Sequence, residues 1–277
     1  MANRSDFYVR FWGVRGSLAC PGPDTVRYGG NTPCVEVRCG DHVLVFDAGT
    51  GLRELGDELA RHQAPEFDLF LSHTHLDHVV GLPFCRPMFN PKVVARVWAG
   101  HLLPEDKVEN VLRSLMTAPL FPVPLDIFKA KVTYRDFKAG ETITPYPGIT
   151  VRTTRLNHPN RATGYRVEFG GKAICYITDT EHVIGAPDRN ILDLIAGAEI
   201  AIYDATYTDE EFPKFTAWGH STWQEAVRLA RAAKIKQMVV FHHLPGRSDA
   251  ELDKIGEAAA RELPGTVVAR EGMTLTP

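Results

Sequence analysis

Leu69–Pro83 reads LFLSHTHLDHVVGLP: an apolar run delivers His73, His75, Asp77 and His78 within six residues, then closes on a second apolar run. Leu69–Leu71 belongs to FDLFLS, a short apolar segment with the length and composition of a buried strand. On the extended or looping backbone beyond it, alternate residues share a face. His73 and His75 can therefore converge on one ion, while Asp77 and His78 turn toward a second beside it. Nitrogen and carboxylate ligands suit Zn, Mn or Fe, and ligand type does not choose among them. A single histidine in such a loop would be ordinary solvated polarity, but four donors at this spacing directly after a strand predict a metal site.

Two cations need more ligands, and other strand ends supply them. ITVRTTRLNH ends at His158, AICYITDT carries Asp179 at the close of an apolar run, and QMVVFHH finishes on His242 and His243. Either of the last two completes a set of seven.

The remaining chain frames this cluster. FYVRFWG and CVEVRCGDHVLVF alternate as strands do, with Gly40-Asp41 placed as a hairpin turn, and GLRELGDELARH has helical spacing. From Phe84 to Leu125 the pattern weakens between proline-rich stretches, and the segment 84–130 reads as an insertion over the active site. EIAIYDATY, STWQEAVRLARAAK and QMVVFHH then repeat the strand and helix grammar of the first half. The 277 residues, 44% hydrophobic, predict one α/β domain spanning 1–277, two sheets with outer helices. Thirty-one Lys and Arg against 34 Asp and Glu leave a formal charge of −3, which disfavours long polyanions as partners and favours a small ligand. The five cysteines form no CxxC pair, so neither a zinc knuckle nor a disulfide framework is expected and a cytoplasmic location is the default. Charges interrupt the N-terminal apolar run, and no run is long enough to span a bilayer, so neither secretion nor membrane insertion is expected.

HxHxDH followed by His, Asp and His resembles the metallo-β-lactamase superfamily across nearly the whole chain. The resemblance implies a four-layer αββα sandwich of two mixed sheets, with two divalent metal ions at one edge, zinc first and manganese or iron as alternatives. Carried onto this sequence, it implies that His73, His75 and His158 hold the first metal and Asp77, His78 and His243 the second, with Asp179 bridging. His243 is preferred over His242 because family members place the last ligand just before a short loop, here HLPGRS. WGHSTWQEAVRLA is similar to the GHST motif of the ribonuclease Z and cyclic-nucleotide phosphodiesterase branch. There, His220 serves phosphoester cleavage at the start of a helix that Ser221 or Thr222 could cap, and Asp204 of YDAT orients it. An N-cap neighbour and a strand-end turn former are the plain structural readings of the same two residues.

FWGVRGSLACPGPDTVRYGGNTPCVEV also resembles bacterial members of this branch; its glycines read as fold punctuation, and Asn31 as either structural or close to the site. The activity implied is hydrolysis of a small phosphodiester, a cyclic nucleotide above others, with Asp77, His220 and Asp204 as catalytic groups. Phe89 and Phe121 are candidate walls for a base, with core packing as the plain alternative. A transfer-RNA 3′-processing nuclease is disfavoured because Arg86, Lys92, Arg96, Lys107 and Arg113 do not make a basic arm. A lactonase or β-lactamase would not need His220 and Asp204, and a non-catalytic nucleotide sensor would not keep seven ligands. The resemblance also implies a homodimer. His42, His62, His101 and His182 fall outside the pattern as surface or outer-shell residues, and Arg155, Arg161 and Arg247 read as solvated.

Overall fold

The computed structural model describes residues 6–277; the first five residues, which open the N-terminal stretch weighed above, lie outside the described residues. The first half of the chain forms β1 (Phe7–Gly13), β2 (Cys34–Cys39), β3 (His42–Phe46), α1 (Leu52–Arg61), β4 (Glu66–Leu71), α2 (Leu76–Val79), β5 (Val94–Ala99), α3 (Val108–Leu115) and β6 (Lys131–Asp136). The second half forms β7 (Thr142–Tyr146), β8 (Ile149–Leu156), β9 (Ala162–Phe169), β10 (Lys172–Ile177), α4 (Arg189–Ile195), β11 (Ile200–Asp204), α5 (Trp223–Ala233), β12 (Gln237–Phe241), α6 (Asp249–Glu262), β13 (Val267–Val268) and β14 (Thr274–Leu275).

These strands make two seven-stranded sheets, ordered β14-β1-β2-β3-β4-β5-β6 and β13-β12-β11-β10-β9-β8-β7. Each sheet is antiparallel on one side and parallel on the other: β3, β4, β5 and β6 run parallel in the first, and β10, β11, β12 and β13 in the second. The expected αββα sandwich of mixed sheets is the observed fold. Gly40, at φ 59°, turns the β2–β3 hairpin in the register Cys39↔His42.

Burial on both faces explains the near-continuous apolar strands. In β4, Phe67, Leu69 and Leu71 pack outward with Leu55, Leu59 and Leu112 of the helices, whereas Phe70 faces the other sheet. In β10, Cys175 and Ile177 pack outward with Leu194 and Ala226, and Tyr176 faces inward. The inward rings meet between the sheets, where the centroid of Phe46 lies 5.4 Å from that of Phe70, 5.3 Å from Tyr165 and 5.6 Å from Tyr176. Asp68 is also buried there, and it accepts from Trp98 Nε1 at 2.7 Å and from the Tyr146 hydroxyl at 2.7 Å. A charge so placed is tolerable only because it is hydrogen-bonded.

Part of the segment 84–130, read above as an insertion over the active site, belongs to the core sheet and its helical layer. It contains β5, paired parallel to both β4 and β6, and α3, whose Val108 and Leu112 are fully buried. The prolines that obscure the pattern lie in the connections, and β5 itself, VARVWA, carries none. Among the described residues no helix is long and apolar enough to cross a membrane.

Candidate metal centre

The parallel strands of both sheets end at one rim, the position where open α/β sheets characteristically bind ligands. Three strands stop in the same way. The residues after β3 and β12, Asp47 and His242, have φ of 63° and 61°, and Asp179, two residues after β10, has φ 54°. Asp and His enter this left-handed region more readily than most non-glycine residues, and such conformations gather at functional sites. Here the turn swings each side chain out of the strand's alternation and into the space between the sheet ends.

Two clusters result. The donor atoms of His73, His75 and His158 lie within 4.8 Å of one another, as do those of Asp77, His78, Asp179 and His242. Asp179 joins them: its Oδ1 is 3.2 Å from both His78 Nε2 and His242 Nε2, and its Oδ2 is 3.6 Å from His73 Nε2 and 3.7 Å from His158 Nε2. Asp77 Oδ2 stands 3.2 Å from His78 Nε2 and 3.5 Å from His242 Nε2, and His75 Nδ1 is 3.1 Å from His158 Nε2. Donors about 2.0–2.1 Å from one tetrahedral zinc would stand about 3.3 Å apart, and these spacings cluster there.

The outer nitrogens determine what the inner ones offer. His78 Nδ1 donates to Asp47 Oδ2 at 2.8 Å, His158 Nδ1 to the Gly219 carbonyl at 2.8 Å, and His242 Nδ1 to Thr206 Oγ1 at 3.0 Å. Thr206 Oγ1 in turn donates to Asp204 Oδ1. His73 Nδ1 lies 3.0 Å from Ser72 Oγ, whose hydroxyl donates to Asp47. With Nδ1 keeping its proton, each Nε2 is the nitrogen that would give up its proton and present a lone pair to a cation. Among the described residues, the Nε2 atoms of His73, His78 and His242 are buried with no hydrogen-bond partner. Buried nitrogens are rarely left so, and inward lone pairs beside two carboxylates fit a pair of divalent cations.

Charge reinforces that fit. Burial would push the His78 imidazole down, but Asp179, Asp77 and Asp47 around it hold it well above its ordinary range. Burial raises Asp179 and Asp77, and the surrounding histidines outweigh it, so both carboxylates are held low. A site that binds a proton this tightly between carboxylates is a site made for positive charge.

His220 and Asp204 stand at the edge of the second cluster. His220 Nδ1 donates to Asp204 Oδ2 at 2.9 Å and lies 3.9 Å from Asp179 Oδ2, and its ring stacks on His242 with centroids 4.9 Å apart. Burial lowers the His220 pKa, but the Asp204 carboxylate overrides it and raises the group to about 9. Thr222, rather than Ser221, caps α5 by accepting from Glu225 N. Ser221 Oγ instead meets His182 Nδ1 at 2.8 Å, which puts His182 behind the site rather than in it.

The structure corrects one expected ligand: His243 faces away. Its Nε2 donates to the Ala269 carbonyl at 2.8 Å, its ring meets Tyr28 edge-on, and its backbone is pinned between Val14 and Gly16. Burial and the nearby cation of Arg15 push it down to about 3. His242 occupies the inward position because of its left-handed turn, and its ring fits only because Gly16 has no side chain: a Cβ there would lie 2.4 Å from the imidazole. Phe89 packs on Phe128 and Phe121 on Phe84, the core-packing alternative for both. Asn31 is structural: its amide groups donate to Glu271 and its Oδ1 accepts from Thr50.

Sequence reading missed Asp47, which also accepts from Ser72 N and the Tyr176 hydroxyl, along with Ser72, Thr206 and Gly219. It also missed Ser17, whose N–H donates to Asp77 Oδ2 at 2.8 Å. The one available signal was VFDAG, a carboxylate ending an apolar strand as Asp179 does.

A model of the beta-lactamase superfamily domain matches residues 42–243, most of the chain and every donor of the two clusters, and the chain belongs to that superfamily. Its similarity runs to the ribonuclease Z branch: "Ribonuclease Z" of Archaeoglobus fulgidus is 23% identical over 315 residues, covering 97% of each chain. Among solved structures, the metallo-beta-lactamase fold protein YhfI from Bacillus subtilis superposes with a TM-score of 0.74 at 18% identity, over 98% of this chain and 99% of that one. A diphosphatase from the PhnP family superposes at 0.70 with 20% identity and 98% coverage of both. At those identities the two structures establish the fold.

Proposed function

We propose that this metal-dependent hydrolase of the superfamily cleaves a small phosphodiester, a cyclic nucleotide being the best-fitting substrate. Zinc is the proposed cation at both positions, since donor spacings of 3.1–3.2 Å are near those of a tetrahedral zinc. His73, His75 and His158 would hold one and Asp77, His78 and His242 the other, with Asp179 shared between them. Cations there supply Lewis acidity, neutralise phosphoryl oxygens and activate water near neutral pH.

The observation that carries the phosphodiester reading is the His220–Asp204 pair, 2.9 Å apart and set against the carboxylate that joins the two clusters. An imidazole held protonated beside a site of developing negative charge can stabilise a phosphoryl oxygen or give its proton to a departing alkoxide. Asp204 orients it and keeps the proton on Nδ1, and Thr180 N and Thr206 hold Asp204 in place. Asp77, held by Ser17 N, and Asp179 position the attacking water.

Transfer-RNA processing is the second reading, favoured by the name of the Archaeoglobus fulgidus relative matched over 97% of both chains. The charges of residues 84–130 weigh against it. Arg86 is paired with Asp57, Arg96 with Asp68 and Glu66, and Arg113 with Glu109 and Asp126, so three of the six basic residues there already have acidic partners. Five free thiols suit a reducing compartment, and a homodimer remains part of the proposal. The test is a panel assayed with zinc and with manganese: 3′,5′-cyclic nucleotides, bis(p-nitrophenyl) phosphate, a precursor transfer RNA and a lactone. Turnover of the small phosphodiesters is expected; turnover of the lactone alone, or of transfer RNA alone, would refute the proposal.

A further inference from the structure

Trp218 is 63% exposed, whereas Trp12, Trp98 and Trp223 are each 8% or less. A tryptophan left in water needs a reason, since burying so large an apolar surface is strongly favourable. The backbone that carries it is tightly held. Glu181 accepts from Ala217 N at 3.0 Å and from Gly219 N at 2.9 Å, gripping the chain on both sides of the tryptophan. Glu181 N in turn donates to the carbonyl of Asn157, so the loops bearing His158, Asp179 and His220 meet at this one residue. Ala217 has φ 71°, a strained conformation for alanine, and Gly219 has φ 87°. Gly219 packs so closely on His158 that a Cβ would fall 2.3 Å from its Nδ1. The loop is therefore fixed against the metal cluster while its largest side chain is offered to solvent.

The ring is supported as well. Trp218 meets Phe215 edge-on at 5.5 Å, Phe215 stacks on Tyr207 at 4.5 Å with an interplanar angle of 1°, and Tyr207 lies edge-on to His220 at 6.1 Å. This aromatic row runs from the proposed proton donor to the open rim.

We infer that Trp218 is a specificity-determining platform on which the planar base of a nucleotide substrate stacks while its phosphate reaches the metal cluster. The inference rests on the phosphodiesterase reading for its ligand class. Pre-organisation is what makes the platform effective: the backbone is already fixed, so stacking orders little of the protein. Base stacking on an aromatic side chain is sequence-tolerant, so the platform selects nucleotides over simple alkyl phosphates without choosing strongly among bases.

The test compares binding of AMP and ribose 5-phosphate, which share a sugar phosphate and differ by the base, to the zinc-loaded protein. Trp218 is the exposed fluorophore among four tryptophans, so AMP should quench emission and ribose 5-phosphate should not. AMP should bind about 5- to 100-fold more tightly than ribose 5-phosphate. In Trp218→Ala the ratio should collapse to within about twofold while metal content and ribose 5-phosphate affinity hold. Trp218→Phe should lose the quenching signal yet keep most of the preference. No preference in the wild type, or a preference that survives in Trp218→Ala, overturns the inference. Should no phosphodiester be hydrolysed while the AMP preference and its loss in Trp218→Ala persist, the chemical reading fails and the platform stands.

Discussion

Exchanging His242 and His243 for alanine, one at a time, separates two adjacent residues that sequence cannot tell apart. His243 is completely buried and donates one hydrogen bond to Ala269, so His243→Ala opens a cavity and strands a carbonyl. The cavity costs about 2–3 kcal/mol and the lost hydrogen bond about 1 kcal/mol, together about 3–4 kcal/mol. With about 2.1 cal/mol/K of unfolding entropy per residue over 277 residues, or about 0.6 kcal/mol/K, Tm should fall by about 5–7 °C. Metal content should stay at two ions per chain. His242→Ala removes a donor 3.2 Å from Asp179 and 3.5 Å from Asp77. Loss of an outer-shell partner costs about 10–100-fold in affinity, so loss of this inner donor should cost more than about 100-fold at the second position. After dialysis the protein should retain about one ion per chain. The assay is elemental analysis of dialysed protein beside calorimetry of the metal-free form. Two ions retained in His242→Ala with one lost in His243→Ala would refute the assignment.

Other outcomes follow from the same geometry. Asp179→Ala should abolish binding at both positions, because its two oxygens face different clusters; His220→Ala should keep both ions and lose about 10²–10⁴ in turnover. Equal metal loss in the two variants, by elemental analysis, would contradict this division of roles. Asp47→Asn should weaken metal binding about 10- to 100-fold by disturbing His78 and Ser72 together, with no contact to the metal, as competition with a chelator would measure. Because His78 is held protonated among three carboxylates, metal uptake near neutral pH should release about one proton and affinity should fall as pH drops. Calorimetry in buffers of different ionisation enthalpy reads that proton, and uptake without release would contradict the account.

The left-handed strand ends give the centre its rigidity. Asp47, Asp179 and His242 each depart from strand geometry where backbone pairing ends, so their side chains are set by the sheet beneath rather than by a loop. Asp47 ties the first sheet to the second through Tyr176, and Thr206 ties His242 to Asp204, which in turn orients His220. Replacing one outer residue therefore moves more than one inner donor, the expected behaviour of a hydrogen-bonded network.

How much of this was legible depended on whether the information was local. Strands show in sequence because side chains alternate, and HxHxDH shows because its donors lie within six residues of one another on a strand end. His158, Asp179, Asp204 and His220 were also readable, each a polar residue at the close of an apolar run or the start of a helix. The parallel strand β5 was not: prolines on both sides hide a strand whose pairing with β4 and β6 is entirely long-range.

From the sequence alone, residue type and short periodicity predicted two sheets with outer helices and most of the donors, and the superfamily followed from the resemblance of HxHxDH and the later His, Asp and His to a known pattern. Only the tertiary structure decided between His242 and His243, since that turns on one left-handed residue and on the space left by Gly16, more than 220 positions away. It alone revealed Asp47 as the support for His78 and Trp218 as the exposed ring on a clamped loop. A side chain's direction and its neighbours across the fold are set by packing between distant segments, and no local pattern encodes them.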